Sequence, residues 1–130
     1  MNIKTSLILA SFFMALAVAL GAFGAHALKD MLTESGRLDS FETAVRYQMI
    51  HAIGLFVTSL IAQSMKLRFQ KTVALLFTIG IFLFSGSIYL ICFTDITAFG
   101  MVAPVGGTAF IAAWVLHGMS LFKATPPKNS

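Results

Sequence analysis

Three histidines and a small number of polar side chains are the residues of this sequence that could do chemistry, because most of them stand inside or beside long apolar runs. Imidazole titrates near neutral pH, so a histidine there could carry a proton or bind a metal ion. The densest group surrounds His51, with Ala44, Gln48, Gly54 and Thr58 at helical spacing. The candidate functional or packing residues are His26, Glu42, Arg46, Tyr47, Gln48, His51, Ser85, Tyr89 and His117.

The polar face around His51 has two interpretations. A polar group in hydrocarbon needs a protein partner, so this face is predicted to point into a helix bundle. His51 could then act as a proton carrier or ligand in a polar lining with Gln48 and Thr58. Alternatively, the face joins helices by hydrogen bonds, which contribute about 0.6 kcal/mol each in membranes and are sufficient to set helix register. We favour this packing interpretation, because one imidazole needs no special role.

A metal site is an alternative for the histidines. His26 and His51, together with Glu42 or Asp95, would supply the nitrogen and oxygen ligands that zinc or copper uses. However, the sequence has no His-x-x-x-His or Cys-x-x-Cys spacing, and its single cysteine, Cys92, has no intrachain partner for a disulfide. We therefore predict neither a metal nor another cofactor.

Enzymatic serine chemistry and nucleic-acid binding are also poorly supported. Ser85 lacks the Gly-x-Ser-x-Gly context of a serine nucleophile. The net charge of +4 comes from basic residues in short clusters between apolar runs, which is typical of the loops of a membrane protein. We therefore do not predict an enzyme or a nucleic-acid partner.

Composition indicates a single membrane domain. Hydrophobic residues make up 58% of the 130 residues and charged residues 11%, against about 45–50% and about 25% in soluble proteins. A helix needs about 20 apolar residues to cross a bilayer. The sequence therefore predicts an all-α membrane protein, a bundle of four transmembrane helices at about 6–25, 48–65, 72–93 and 101–122. The first run exceeds the core of a signal peptide, so we expect it to be a span.

The polar segment 28–47 is predicted to lie outside the membrane. Its first part has the pattern of a short interfacial helix that ends near Gly36. Asp39 and Glu42 then resemble a capping box, which would begin a long helix that continues through the second apolar run. Glu42 and Arg46 are four residues apart, the spacing of a helical ion pair.

Small residues are predicted to bring helices close together. In the first run, Ala17, Gly21 and Ala25 recur at every fourth position and would let a neighbouring helix approach. Gly106 and Gly107 in the fourth run indicate close packing, with a broken helix that lines a site as the alternative.

The distribution of basic residues predicts the orientation, because lysine and arginine are enriched in cytoplasmic loops. With four spans, the middle loop and both termini share one side, and its basic residues are Lys4, Lys66, Arg68, Lys71, Lys123 and Lys128. The other side has three basic residues, diluted by four acids in the same segment. Both termini are therefore predicted to be cytoplasmic, with residues 123–130 as a disordered tail.

Four motifs, in order, resemble a known family. They are GAFGAHAL at 21–28, FETAVRYQ at 41–48 followed by HA at 51–52, FSGSIY at 84–89, and PVGG at 104–107. Together they are similar to the YgdD-like small bacterial inner-membrane proteins, a family of unknown function. The resemblance covers nearly the whole chain and implies a four-helix protein of the bacterial plasma membrane. It implies no activity and no catalytic residue.

The function we expect is that of a non-enzymatic accessory or interaction component of the membrane. Its partners would be membrane lipids and either a larger membrane protein or further copies of the chain. The first alternative is a small oligomeric transporter or channel, based on the face with Gln48, His51 and Thr58. The second is a membrane protein that binds heme, metal, quinone or lipid through its histidines.

Overall fold

The structure is a computed structural model that describes residues 1–124 of the chain. The described residues fold as an all-α protein, so the predicted fold class is confirmed. The elements are α1 (Ile3–Ala25), α2 (Lys29–Glu34), α3 (Leu38–Ser64), α4 (Gln70–Ile81), a π-helical turn (Phe82–Gly86), α5 (Ser87–Thr94), a short 3-10 helix (Thr97–Met101) and α6 (Ala103–Phe122). Most of the predicted disordered tail, from residue 125 onward, lies outside the described residues.

Within the described part of the chain, four helical stretches are long and apolar enough to cross a membrane: Ile3–Ala25, Leu38–Ser64, Gln70–Thr94 and Thr97–Phe122. The third stretch contains α4, the π-helical turn and α5 as one continuous helical segment. The second begins ten residues before the predicted span, because α3 continues without a break from the polar segment into the apolar run. Where the headgroups meet α3 remains a prediction.

Helix α3 is the central element of the bundle. It packs against α1, α4 and α5, while α6 packs mainly along α4. The main core cluster includes Phe13, Leu55, Phe77 and Phe110, which α1, α3, α4 and α6 contribute. A second cluster joins Leu32 of α2 to residues of α3 and α5. Helix α2 thus covers one end of the bundle.

The start of α3 differs from the predicted capping box. Helix α3 begins at Leu38 with Arg37 as its N-cap residue, and none of the described side chains caps it. Asp39 instead lies inside the first turn, where a carboxylate still interacts favourably with the helix dipole. The reason is local: Gly36 adopts a φ of 67°, which turns the chain directly from α2 into α3.

Small residues bring the helices together only in part as predicted. Ala17 and Gly24 are buried on α1, where an added Cβ at Gly24 would lie 2.6 Å from the Phe41 ring of α3. Ala25 is exposed, so the predicted stripe is wrong at that position. Gly106 and Gly107 lie within an unbroken α6, and Gly106 packs against the backbone of Phe84.

Among the described residues, one ion pair forms, between Arg37 Nη2 and Asp95 Oδ1 at 2.6 Å. It joins the start of α3 to the end of α5. The predicted pair between Glu42 and Arg46 does not form among these residues; both side chains are exposed. Asp95 is 81% exposed and has a left-handed φ of 56°. Asparagine tolerates this conformation far better than alanine does.

Asp95→Asn is therefore expected to change the free energy of unfolding by less than about 1 kcal/mol, because an exposed ion pair contributes little. Asp95→Ala is expected to cost about 1–2 kcal/mol, because alanine must adopt the left-handed conformation. Thermal unfolding of both variants in detergent would measure the difference. Equal losses of stability in the two variants would contradict the explanation that the left-handed backbone conformation at residue 95 causes the loss in Asp95→Ala.

Candidate functional site

Gln48 is the centre of a hydrogen-bonded group inside the bundle. Its side chain is 2% exposed. Its Nε2 atom donates to the backbone oxygen of Phe13 on α1 at 2.8 Å, and its Oε1 atom accepts from the Tyr89 hydroxyl on α5 at 2.9 Å. One carboxamide therefore links three helices with both of its polar ends, as a polar group in hydrocarbon requires.

The π-helical turn brings the third span against this group. Ser85, fully buried within the turn, donates from its hydroxyl to the backbone oxygen of Ala44 on α3 at 2.8 Å. A π-helical turn contains extra residues relative to an α-helix and so rotates the residues that follow it. Tyr89, one turn later, thereby faces Gln48. Such turns are frequent at functional sites, and nothing in the local sequence predicted this one.

His51 is enclosed by aromatic rings. Its ring stacks on Phe110 of α6, with 3.4 Å between ring centroids and an interplanar angle of 7°. Its Nδ1 atom lies 2.7 Å from the backbone oxygen of Tyr47. Because a carbonyl oxygen only accepts, Nδ1 carries the proton in this contact. His51 is 6% exposed, so its surroundings resemble a packed core more than a polar lining.

The rest of the polar face of α3 is mostly buried, as its helical spacing predicted. Ala44, Gly54 and Thr58 are buried with Gln48 and His51, whereas Tyr47 is 39% exposed. Gly54 leaves space for Trp114 of α6, since an added Cβ would lie 2.9 Å from the indole. This pairing of a glycine with a tryptophan had no signal in the sequence, because the two residues belong to distant helices.

The other candidate residues are dispersed. His26 is the exposed C-cap residue of α1, and Glu42 and Arg46 are exposed on the first turns of α3. His117 is buried near the end of α6, and its Nδ1 has no hydrogen-bond partner among residues 1–124. Among the described residues, the structure therefore brings together Tyr47, Gln48, His51, Ser85 and Tyr89 in the middle of the bundle.

The ligand set that combined His26 and His51 with an acid is wrong. No three His, Cys, Asp or Glu residues among positions 1–124 lie close enough together to hold a metal ion. His51 lies roughly 20 Å along α3 from Leu38, at about 1.5 Å per residue, and Asp95 pairs with Arg37 at the end of the bundle. The candidate ligands are therefore at different depths.

An apolar groove opens on the outer surface between α1 and α3, with a volume of about 460 Å³. We call it the α1–α3 groove; its lining residues are Ala10, Ser11, Met14, Ala15, Ala52, Ile53 and Phe56. These residues lie near the middle of both helices, far from the chain connections. Most of them are small or apolar, so the groove suits an apolar occupant.

Residues 20–107 match the family model described as "Protein of unknown function (DUF423)". The UPF0382 membrane protein YwdK of Bacillus subtilis is 40% identical over 87% of this chain and 92% of its own. A UPF0382 membrane protein of Staphylococcus haemolyticus is 37% identical over 92% of this chain and 97% of its own.

The UPF0382 membrane protein of Haemophilus influenzae is 36% identical over 92% of this chain and 93% of its own. No solved structure matches the chain. The matched region contains α3, the π-helical turn and the Gln48 group. With its four apolar helices, the chain is a multi-pass membrane protein, and it belongs to the DUF423 family of UPF0382 membrane proteins.

Proposed function

We propose that the protein is a non-enzymatic membrane component that binds a transmembrane helix of a larger membrane protein in its α1–α3 groove. The observation that carries this proposal is the groove itself, about 460 Å³ of apolar space on the outer surface at mid-height of the bundle. A partner at that height must itself be apolar. A transmembrane helix of another protein meets that requirement.

The interior of the bundle supports a binding role over catalysis or transport. Gln48, Tyr89 and Ser85 use their polar atoms to join helices, and His51 is stacked against Phe110. These contacts occupy the face that a transporter would need as a polar pathway. The connections between the long helices are short, so they offer little space for a water-filled site.

The chemistry of the groove favours a helix as its occupant. Ala10, Ala15 and Ala52 supply small side chains, which allow two helix backbones to approach closely in a membrane. Ser11 donates its hydroxyl hydrogen to Leu7 on its own helix, which leaves lone pairs to accept a bond from a partner. Phe56 at the edge is 39% exposed and can pack over the incoming helix.

We further infer the location and orientation of the protein. The narrower resemblance to YgdD-like proteins and the bacterial source of the relatives support the bacterial inner membrane. The end of the bundle that holds Lys66, Arg68 and Lys71 is rich in basic residues, which supports cytoplasmic termini. Labelling of the single variants Lys4→Cys and Asp30→Cys from each side of the membrane of intact cells would test this orientation. Lys4→Cys is expected to be labelled from the cytoplasm and Asp30→Cys from the opposite side. Labelling of Asp30→Cys from the cytoplasm would overturn the orientation.

The partner is tested by site-specific photo-crosslinking in native membranes. A photoreactive residue at Ser11 is expected to capture one discrete larger membrane protein, whereas the same residue at Ile111 on α6 is not. Ile111 is 67% exposed on a different helix and is therefore a matched lipid-facing control. Capture at Ile111 alone would overturn the groove as the binding site.

Filling the groove supplies the second measurement. Ala15→Phe is expected to reduce co-purification of the partner at least about ten-fold, because the ring takes the space of the incoming helix. Ile111→Phe should leave co-purification unchanged. If Ser11 crosslinks only to a second copy of this chain, the proposal of a larger partner fails, and a homo-oligomer takes its place.

A further inference from the structure

The acidic side chains gather at one end of the bundle, whereas the charged side chains at the other end, among residues 1–124, are all basic. All five acids, Asp30, Glu34, Asp39, Glu42 and Asp95, lie in or beside α2, the start of α3 and the end of α5. At the other end α1 begins, α3 ends and α4 begins. We call this end the basic end; its basic residues within the described chain are Lys4, Lys66, Arg68, Lys71 and Lys123. The sequence from residue 43 to residue 94 contains no acid.

A cleft of about 760 Å³ opens at the basic end. We call it the basic cleft. Lys66 and Arg68 line it from the α3–α4 connection, Lys71 from the start of α4, and Asn2 and Ile3 from the start of α1. Among residues 1–124, none of these three basic side chains forms an ion pair with a carboxylate. The cleft therefore concentrates positive charge that the described chain does not neutralise.

The start of α4 adds hydrogen-bond donors to the same place. Within residues 1–124, no side chain caps α4, and the N–H groups of a first helical turn lack partners within the helix. The first-turn residues Gln70, Lys71 and Thr72 line the cleft. Ser120 of α6 accepts from the N–H of Phe69 just before them, at 3.3 Å. A helix start combined with lysine and arginine is a favourable setting for a phosphate group.

The remainder of the lining is apolar. Ile3, Ala62, Met65 and Leu67 face the same cleft, and α1 and α3 continue from it as apolar spans. A soluble phosphate compound would gain no binding energy from this apolar wall. A membrane lipid presents its phosphate at such a boundary and its glycerol and acyl groups beside it.

We propose that the basic cleft binds the phosphate of an anionic phospholipid headgroup. Lys66, Arg68 and Lys71 supply the charge, the start of α4 supplies N–H donors, and the apolar wall contacts the glycerol and upper acyl region. The bound lipid would be held between α1 and the α3–α4 connection. This inference is independent of the helix proposed for the α1–α3 groove.

The test uses the purified full-length protein in detergent, with the bound lipid measured by native mass spectrometry. Phosphatidylglycerol is expected to bind more tightly than phosphatidylcholine, which has the same phosphate but no net charge. Lys66→Gln/Arg68→Gln is expected to weaken phosphatidylglycerol binding roughly 25-fold, at about five-fold for each basic side chain removed. Circular dichroism would verify that the variant remains helical.

Lys29→Gln/Arg46→Gln is the matched control, because it removes one lysine and one arginine from the other end of the bundle. It is expected to change phosphatidylglycerol binding less than about two-fold, since Lys29 and Arg46 do not line the basic cleft. Equal losses in the two double variants would show a general charge effect and overturn the proposal. Unchanged binding in Lys66→Gln/Arg68→Gln would overturn it as well.

Inorganic phosphate distinguishes the two sources of a phosphate group. Millimolar phosphate is expected to leave phosphatidylglycerol bound, because a free anion gains nothing from the apolar wall. If phosphate displaces the lipid as efficiently as added phosphatidylglycerol does, the cleft recognises a soluble phosphate compound, and the assignment to a lipid is wrong.

Discussion

Gly106→Ala is expected to destabilise the protein by about 2–3 kcal/mol, one of the two largest effects that we expect from a single substitution. A Cβ at Gly106 would lie 2.8 Å from the Cα atom of Phe84 and would collide with the Phe84 backbone nitrogen. Both contacts involve backbone, so a rotamer change cannot relieve them. Helix α6 would have to move away from the π-helical turn, with loss of the contacts around Phe110.

Gly107→Ala is the matched control for this prediction. It is the same change at the next residue of the same helix, and its Cβ would meet the Phe84 ring at 3.8 Å, an ordinary van der Waals contact. We expect a change within about 0.5 kcal/mol, or a small gain, because alanine favours the helix over glycine. Unfolding by SDS titration in mixed micelles would measure both variants. Equal stability of the Gly106 and Gly107 variants would refute the close approach of α6 to Phe84.

Gln48→Leu is expected to cost about 1–3 kcal/mol, because it removes the bonds from α3 to both Phe13 and Tyr89. It also leaves the Tyr89 hydroxyl without its partner inside the bundle, which adds a desolvation cost. Gln63→Leu is the control: Gln63 is exposed in the last turn of the same helix, and the same change there is expected to cost less than about 0.5 kcal/mol.

A double-mutant cycle separates the hydrogen bonds of Gln48 from its volume. Tyr89→Phe alone should cost about 0.6–1.5 kcal/mol, since it removes one of the two bonds. In the Gln48→Leu background, the same change should cost little or nothing, because the hydroxyl has already lost its partner. Additive losses would show that Gln48 and Tyr89 do not interact.

The outcome of this cycle also bears on function. If Gln48 and Ser85 act by joining helices, their variants should lose stability to unfolding before they lose binding of the partner. Ala15→Phe should show the reverse order, because Ala15 is exposed and lines the groove. The two kinds of variant therefore distinguish a packing role from a binding role within one protein.

The sequence by itself determined the all-α class, the four apolar helices and the burial of most of the face that contains Gln48 and His51. These properties follow from hydropathy and helical period, which are local and can be read along one segment. The small residues of the first and fourth apolar runs likewise predicted close packing, which the structure has at Gly24 and Gly106. The partners of those glycines, Phe41 and Phe84, were not predictable in the same way.

Only the tertiary structure decided which residues meet. The partners of Gln48 depend on the order of the helices. The pairing of Gly54 with Trp114 depends on the rotation of the helices about their axes. His51 lies at a different depth from the other candidate metal ligands, so it cannot share a metal site with them. The α1–α3 groove and the basic cleft each combine segments distant in the chain. The π-helical turn packs against α3 and α6, which are separate segments of the sequence. Apolar helices in lipid share nearly the same local pattern on every side, so packing complementarity between them, absent from any one segment, selects the arrangement.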